Sequence, residues 1–285
     1  MAHQIAYCGI EGAFANLAAK RIFPNDTLTA FPSFDKAYEA IVQDKCDYAV
    51  LPLENSFAGD VSQVFDLLFQ GPLTVSSIYY FHISQTLLGT QDAELSDIKT
   101  VISHQQAIDQ CIQFIHDHKM NAIAVPNTAF AAQKVSRDNN KSFAAIASEE
   151  SAGIYNLKIL QKNINQDSRN TTRFAVFSKN EEAQIQIKPE AEQEKDYISM
   201  LVFSVKNKPG SLAKAIRMIG KKGFNLISLH SRPVKNLPWE YYFYAEVEGN
   251  MKNRKGLNLI KKMDKVCTQA RIAGHFYKNK SLSNE

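Results

Sequence analysis

The chain has 285 residues, enough for about two domains, and its 45% hydrophobic and 22% charged residues, with no low-complexity tract, exclude a disordered or fibrous protein. The formal net charge of +4 conceals a split, since residues 206–285 carry +12 and the other 205 residues −8. The lysines of the basic part are spread over turns and helix faces without a clustered arm, which describes a solvated surface better than a nucleic-acid groove.

The opening MAHQIAYCGIEG lacks a basic region followed by an apolar run, so no signal peptide is expected. No apolar stretch approaches the ~20 residues that span a bilayer. Cys8, Cys46, Cys111 and Cys267 show neither CxxC nor zinc spacing, and the histidines are equally scattered. Reduced thiols in a cytoplasmic protein without a metal site are expected.

Through residue 178, strand and helix patterns alternate. QIAYCGI (4–10) reads as a strand and AFANLAAKRIF (13–23) as a helix. The glycines of GIEGAF (9–14) allow a tight turn between them, but the stretch is too short for a dinucleotide fingerprint. DTLTAF (26–31) is a strand, DKAYEAIVQ (35–43) a helix and DYAVLPL (47–53) a strand. LPLENSFAGD (51–60) then carries Glu54, Asn55 and Ser56 off that strand. Asn55 or Ser56 can cap the helix VSQVFDLLF (61–69), whereas Glu54, an acid at a strand end, is a candidate for proton transfer or ligand binding. TVSSIYYF (74–81) and KTVIS (99–103) are strands, and QQAIDQCIQFI (105–115) is a helix.

In ISHQQAIDQC (102–111), a capping Ser103 puts Gln110 seven residues on, two turns along nearly the same face. Ser103 and the first-turn N–H groups would then form an anion cradle, or Ser103 is a cap and nothing more. His104 has no evident partner and is not assigned as a base. NAIAVP (121–126), TAFAAQKV (128–135) and FAAIAS (143–148) follow as strand, helix and strand. NTTRFAVFS (170–178) places Thr171, Thr172 and Arg173 at the mouth of the strand RFAVFS. Arg173 offers a planar fork for a carboxylate, or an ordinary edge ion pair. The alternation predicts α/β layers around a largely parallel sheet, with ligands beyond the carboxyl ends of strands.

EEAQIQIKPEAEQEKD (181–196) is charged and contains proline, and reads as a linker or a linker with one short strand. Beyond it, ISMLVFSV (198–205) is a buried strand. After KPGS, Leu212, Ala215, Ile216 and Ile219 form the apolar face of a helix that Ser211 can cap and Gly220 and Gly223 can end. FNLISLHS (224–231) and YYFYAEVEG (241–249) make a hairpin around VKNLPWE (234–240). GLNLIKKMDKV (256–266) is a second helix and TQARIAGHFY (268–277) a final strand. The order βαββαβ predicts a ferredoxin-like unit, a four-stranded antiparallel sheet with two helices on one face.

Taken in order, these stretches resemble the prephenate dehydratase family. AYCGIEGAFANLAA is similar to the family's G-x-x-G-A/T-F/Y-S-x-x-A opening, DYAVLPLENSFAGDV to V-P-I-E-N-S, ISHQQAIDQC to S-H-P-Q-A-x-x-Q-C, and NTTRFAVFS to T-R-F. PGSLAKAI resembles the G-A-L motif, and SLHSRPVKNLPWEYYFYAEVEG the E-S-R-P segment, of the regulatory ACT domain. The match runs over residues 4–277, so no fused chorismate mutase segment is expected.

The resemblance implies a catalytic domain at 1–180 with two lobes similar to periplasmic binding proteins, about 1–80 plus 165–180 and about 81–164. It implies an ACT domain at 197–278. The implied reaction is decarboxylating dehydration of prephenate to phenylpyruvate, with no cofactor. Thr172 would be the hydroxyl donor to the departing oxygen, with Glu54, Asn55, Ser103 and Gln110 around the same cleft. Arg173 would bind a substrate carboxylate or hold Thr172. L-Phenylalanine as feedback inhibitor is implied at Gly210, Ser211, Leu212, Asn225, Leu226, His230, Ser231 and Arg232, with Trp239 either packed nearby or a core aromatic. ACT domains of this family pair, so a homodimer or homotetramer is implied, with neither nucleic acid nor membrane as partner.

Three positions depart from the family pattern: Ala15 replaces Ser or Thr, Gln105 replaces proline, and His230 replaces the glutamate of E-S-R-P. Arogenate dehydratase and a non-catalytic amino-acid sensor are the alternatives.

Overall fold

The computed structural model describes residues 2–179, 196–235, 237, 239–278 and 280–282. The expected linker, 181–196, lies outside the described residues except for Asp196. The elements are β1 (Gln4–Cys8), α1 (Phe14–Ile22), β2 (Thr27–Phe31), α2 (Phe34–Val42), β3 (Tyr48–Asn55), β4 (Gly59–Asp60), α3 (Ser62–Gln70), β5 (Thr74–His82), β6 (Thr86–Gly89), β7 (Thr100–Ser103), α4 (Gln105–Gln110), α5 (Ile112–Asp117), β8 (Asn121–Ala124), α6 (Thr128–Asp138), β9 (Phe143–Ala147), α7 (Glu150–Ile154), β10 (Lys158–Gln161) and β11 (Thr171–Ser178). The C-terminal part adds β12 (Tyr197–Val205), α8 (Ser211–Lys221), β13 (Asn225–Pro233), β14 (Tyr241–Glu248), α9 (Arg254–Met263), β15 (Cys267–Tyr277) and β16 (Lys280–Leu282).

Two sheets organise the chain. The first runs β2-β1-β3-β11-β5-β15-β12-β14-β13, with β4 on β3 and β16 beside β5. The second runs β8-β7-β9-β6-β10. The chain crosses between them after β5 and returns after β10. The return strand β11 lies antiparallel between β3 and β5, and β6 is antiparallel to β9 and β10. Each lobe is therefore a mixed sheet, and the expectation of a largely parallel one holds only for β1–β3 and for β7–β9. The strands β6 and β10 read TLLG and KILQ, each with one β-branched residue and a single apolar pair, a weaker strand signal than KTVIS or NAIAVP. The expected helix 105–115 breaks at Cys111, whose φ of −111° and ψ of 12° interrupt it between α4 and α5.

The βαββαβ unit forms as expected, with strand order β15-β12-β14-β13. Its apolar strand β12 is buried on both faces. Leu201 and Phe203 pack with α8 and α9 residues such as Ala215, Ile219 and Leu259. Ile198, Met200 and Val202 instead join Leu51, Leu53, Phe65 and Leu68 of the first lobe in one core. This explains the continuous apolar run: a strand covered on both sides cannot alternate with polar residues. The two units thus share a core rather than meeting at a wet surface. At the seam Gly274 pairs with Val75, and a Cβ there would lie 2.9 Å from Met200 Sδ and 3.0 Å from Val75 Cβ, so only glycine lets β15 approach β5.

Candidate functional site

Between the lobes lies a cavity of about 430 Å³, within the usual range for small-molecule sites. The first lobe contributes the end of β1 (Cys8, Gly9), the start of α1 (Ala13 to Ala15), and Pro52, Asn55, Thr172 and Phe174. The crossing after β5 contributes Ile83 and Gln85, and the second lobe His104, Gln106, Gln110, Asn127 and Thr128. Among the described residues no lysine, arginine, aspartate or glutamate lines it. Contacts at the rim tie the lobes together, among them Arg21 to Glu150 at 2.9 Å, Tyr155 Oη donating to the Glu11 carbonyl at 2.6 Å, and Ser148 Oγ donating to the Gly12 carbonyl at 3.3 Å.

The polar part of the cavity is a directed set of amides. Asn55 Oδ1 accepts the backbone N–H groups of Phe57 and Ala58, both at 3.0 Å, and Gln106 Nε2 from the other lobe at 3.1 Å. Backbone N–H groups only donate, so the orientation of the Asn55 amide is fixed by the network. Its Nδ2 therefore donates, to Thr172 Oγ1 at 2.9 Å and to Asn170 Oδ1 at 2.8 Å. Thr172 accepts from Asn55 and keeps its own proton for the cavity. Asn170 Nδ2 donates in turn to Gln110 Oε1 at 2.9 Å, which also accepts from Gln85 Nε2 at 3.1 Å. Asn55, Gln85, Gln110, Asn170 and Thr172 are all buried.

His104, not Ser103, is the N-cap of α4, with Nδ1 accepting the Gln106 N–H at 3.3 Å. Partial desolvation holds this imidazole below its ordinary value, and Asp109 opposes the effect. Ser103, fully buried at the end of β7, donates to the Ile146 carbonyl of β9 at 2.6 Å. It does not line the cavity, and the anion cradle expected at Ser103 does not form, because its only side-chain proton is used inside the sheet.

Glu54 and Arg173 also lie away from the cavity. Both were expected at the cleft, and both turn to the back of the sheet. Thr172 pairs with Asn55 and Arg173 with Glu54 across β11 and β3, so each pair shares a face and the two pairs face opposite ways. A bulge at Leu53 matters here, since Phe174 pairs with Pro52 while Arg173 pairs with Glu54. Strict alternation from Val50 and Pro52 would have brought Glu54 to the cleft; the extra residue gives that position to Asn55. Behind the sheet, Arg173 Nη1 donates to Glu54 at 2.8 Å and Nη2 to Glu246 of β14. Glu246 also accepts the Tyr244 hydroxyl. Burial disfavours the Arg173 charge, but Glu246 and then Tyr244 and Tyr80 outweigh it and raise its pKa above the ordinary value. A cavity of about 130 Å³ with Tyr80 and Lys278 lies alongside.

The residues expected for an effector do not converge within one chain. Gly210, Ser211 and Leu212 start α8 at the end of the sheet where β12 and β13 finish, while Asn225 and Leu226 begin β13 at the opposite end. The nine-residue strand puts roughly 25 Å between those ends. His230 and Arg232 are engaged by the first lobe: His230 Nδ1 is 3.1 Å from Asp60, and Arg232 donates to Ser62 at 2.7 Å and to Asp66 at 3.3 Å. A glutamate at position 230 would have faced the Asp60 carboxylate. Ser231 is exposed, and Trp239 is 79% exposed, so it is not a core aromatic.

Thus Thr172, Asn55 and Gln110 meet in the cavity, and Ser103, Glu54 and Arg173 do not. Sequence reasoning missed Asn170, Gln85 and Gln106. Asn170 and Gln106 stood inside stretches already singled out, next to residues that drew attention; Gln85 carried no signal. Among the described residues no group of acidic, histidine or cysteine side chains could hold a metal ion, and no helix is long and apolar enough to cross a membrane.

Comparison with known proteins matches the prephenate dehydratase family profile over residues 5–182 and the ACT domain profile over residues 199–264. The chain is 32% identical, over 95% of its length and 71% of the relative's, to arogenate dehydratase/prephenate dehydratase 1 of Arabidopsis thaliana, a chloroplastic protein. Among solved structures it is similar to GqqA, described as a novel type of quorum quenching acylase, with a TM-score of 0.84 and 26% identity over 97% of this chain and 98% of that one. It shares its fold with prephenate dehydratase of Arthrobacter aurescens in complex with L-Phe, with a TM-score of 0.85 and 22% identity over 96% of this chain and 90% of that one.

Proposed function

Because the chain belongs to the prephenate dehydratase family and carries an ACT domain, we propose that it converts prephenate to phenylpyruvate, CO2 and water. The observation that carries this reading is the Thr172 hydroxyl, which accepts from Asn55 and so keeps its own proton available for donation into an uncharged, largely apolar cavity. Prephenate loses its ring carboxylate as CO2. The electrons of that C–C bond enter the ring, and the C–O bond opposite breaks to give an aromatic product. Negative charge grows on the departing hydroxyl, which leaves as water once protonated. A hydrogen-bond donor aimed at that oxygen favours the transition state over the ground state. No strong base or nucleophile is needed. Gln110 Nε2 and the free N–H groups at the starts of α1 and α6 supply uncharged donors for the carboxylates. Acyl transfer, as in the GqqA description, is less well supported, because the Thr172 hydroxyl meets an amide and not a base.

We further propose L-phenylalanine as inhibitor, a homodimer formed through the ACT domains, and a cytoplasmic location. Among the described residues β13 is an edge strand of its sheet. Antiparallel pairing of two such edges would bring Asn225 and Leu226 of one chain beside Gly210, Ser211 and Leu212 of the other, closing the effector site that one chain leaves split. The deciding experiment follows phenylpyruvate from prephenate, and phenylalanine from arogenate, with and without added phenylalanine. Turnover of prephenate that phenylalanine suppresses supports the substrate, the reaction and the inhibitor together. Turnover of arogenate alone replaces the substrate, and turnover of neither favours the non-catalytic amino-acid sensor.

A further inference from the structure

Asn170 connects the two substrate-facing donors, and it belongs to neither lobe's core but to the crossing that rejoins them. Its side chain accepts from Asn55 of the first lobe and donates to Gln110 of the second, at 2.8 and 2.9 Å, with the residue 2% exposed. The direction of this relay is set at its origin. Two backbone N–H groups occupy Asn55 Oδ1, so Asn55 Nδ2 must donate. Asn170 must then present Oδ1 to Asn55 and Nδ2 to Gln110. Gln110 Oε1, which receives both Asn170 and Gln85, is left with Nε2 as its only outward group. That Nε2 has no protein partner among the described residues, and Gln110 lines the cavity. At the far end Gln85 is 2% exposed, lines the same cavity, and has a buried Oε1 without a partner, so it can turn over with no loss of a protein hydrogen bond.

We propose that Asn170 is a positioning residue for the reaction: it holds the Gln110 amide with its N–H groups toward the anionic substrate, while Asn55 donates to Thr172 Oγ1 and leaves that hydroxyl's proton for the departing oxygen. The inference rests on the functional reading above and deepens it. An amide can play this part because it accepts on one side and donates on the other. A carboxylate of the same shape only accepts. In Asn170→Asp the Asn55 contact survives, but an acceptor now faces Gln110 Oε1. The Gln110 amide turns over, Gln85 turns with it, and a carbonyl oxygen replaces an N–H at the substrate. Binding suffers, whereas Thr172 keeps its geometry.

The test compares steady-state kinetics and thermal melts of the full chain with those of Asn170→Asp and Asn170→Ala. Losing a hydrogen bond to a charged group is expected to raise KM for prephenate on the order of 10- to 100-fold in Asn170→Asp, with kcat within about 3-fold. A merely structural residue would instead lower the active fraction, reducing kcat at unchanged KM. Unchanged KM in a folded Asn170→Asp protein overturns the proposal. Should that variant not fold, Asn170→Ala decides: kcat/KM at least about 10-fold lower in a folded protein supports it, and wild-type kinetics overturn it. Absence of turnover by the unsubstituted chain refutes the functional reading instead. The relay then stands or falls on the stabilisation of the melt by prephenate, expected for the unsubstituted chain and lost in Asn170→Asp.

Discussion

Replacing Glu246 with glutamine tests the junction behind the catalytic strand. Arg173 has 17% of its side chain exposed, and its two carboxylate partners differ, Glu246 at 7% and Glu54 at 31%. Stripping the partner from a buried charge costs about 3–5 kcal/mol, but in Glu246→Gln the guanidinium keeps Glu54, and the adjoining cavity admits water. The loss then approaches one charge-assisted hydrogen bond, about 1.5–3 kcal/mol. Arg173→Met leaves two carboxylates without their cation and should cost the full ~3–5 kcal/mol. Glu54→Gln removes the more exposed partner and should cost about 1 kcal/mol or less. At about 2–4 °C per kcal/mol, Glu246→Gln should lower Tm by roughly 3–12 °C, between the other two variants. Thermal melts of the three proteins, and of the Arg173→Met/Glu246→Gln double variant, give the order and the coupling. Since Arg173 does not line the cavity, KM for prephenate should stay within about 3-fold in all of them. An Arg173→Met protein with unchanged Tm and a KM raised more than about 10-fold would return the guanidinium to the substrate and refute the reasoning.

Thr172→Ala removes the donor to the departing oxygen; kcat should fall about 100- to 1,000-fold, and Thr172→Ser should recover much of it. An Ala variant with normal turnover in the phenylpyruvate assay would dismiss Thr172. His275 is buried and stacked on Tyr197, and burial, helped by Lys252, pushes its pKa down to about 4. The unfolded chain, at about 6.5, binds that proton first, so stability should fall as pH drops from about 6.5 to 4, on the order of 3 kcal/mol in total. Urea unfolding between those limits should show the slope, and His275→Gln should flatten it. His230→Glu sets a carboxylate against Asp60; Tm should fall by about 2–4 °C and recover on adding Asp60→Asn. An unchanged Tm in the single variant would detach His230 from that contact.

Legibility differed by length scale. The βαββαβ unit was readable because its helices carry a clear apolar face and its strands exceed seven residues. β6 and β10, which read TLLG and KILQ, were not, since each offers one β-branched residue and a single apolar pair. The shared core was also invisible: the run ISMLVFSV announces burial on both faces but not that Met200 and Val202 pack against another unit. At the site, Thr172, Asn55 and Gln110 were found through their motifs, whereas the amide that links them was passed over beside them.

The sequence by itself determined which elements form, since propensity, caps and apolar period are local, and it named a threonine, an asparagine and a glutamine that meet in the cleft. Only the tertiary structure decided which neighbour faces the ligand. Thr172 and Arg173 are adjacent in the chain, yet a strand sends them to opposite faces, one to the cavity and one to Glu246 some seventy residues away. The bulge at Leu53 then reverses the same choice for Glu54 and Asn55. Side-chain direction depends on register between strands distant in the chain, which no single stretch of sequence records.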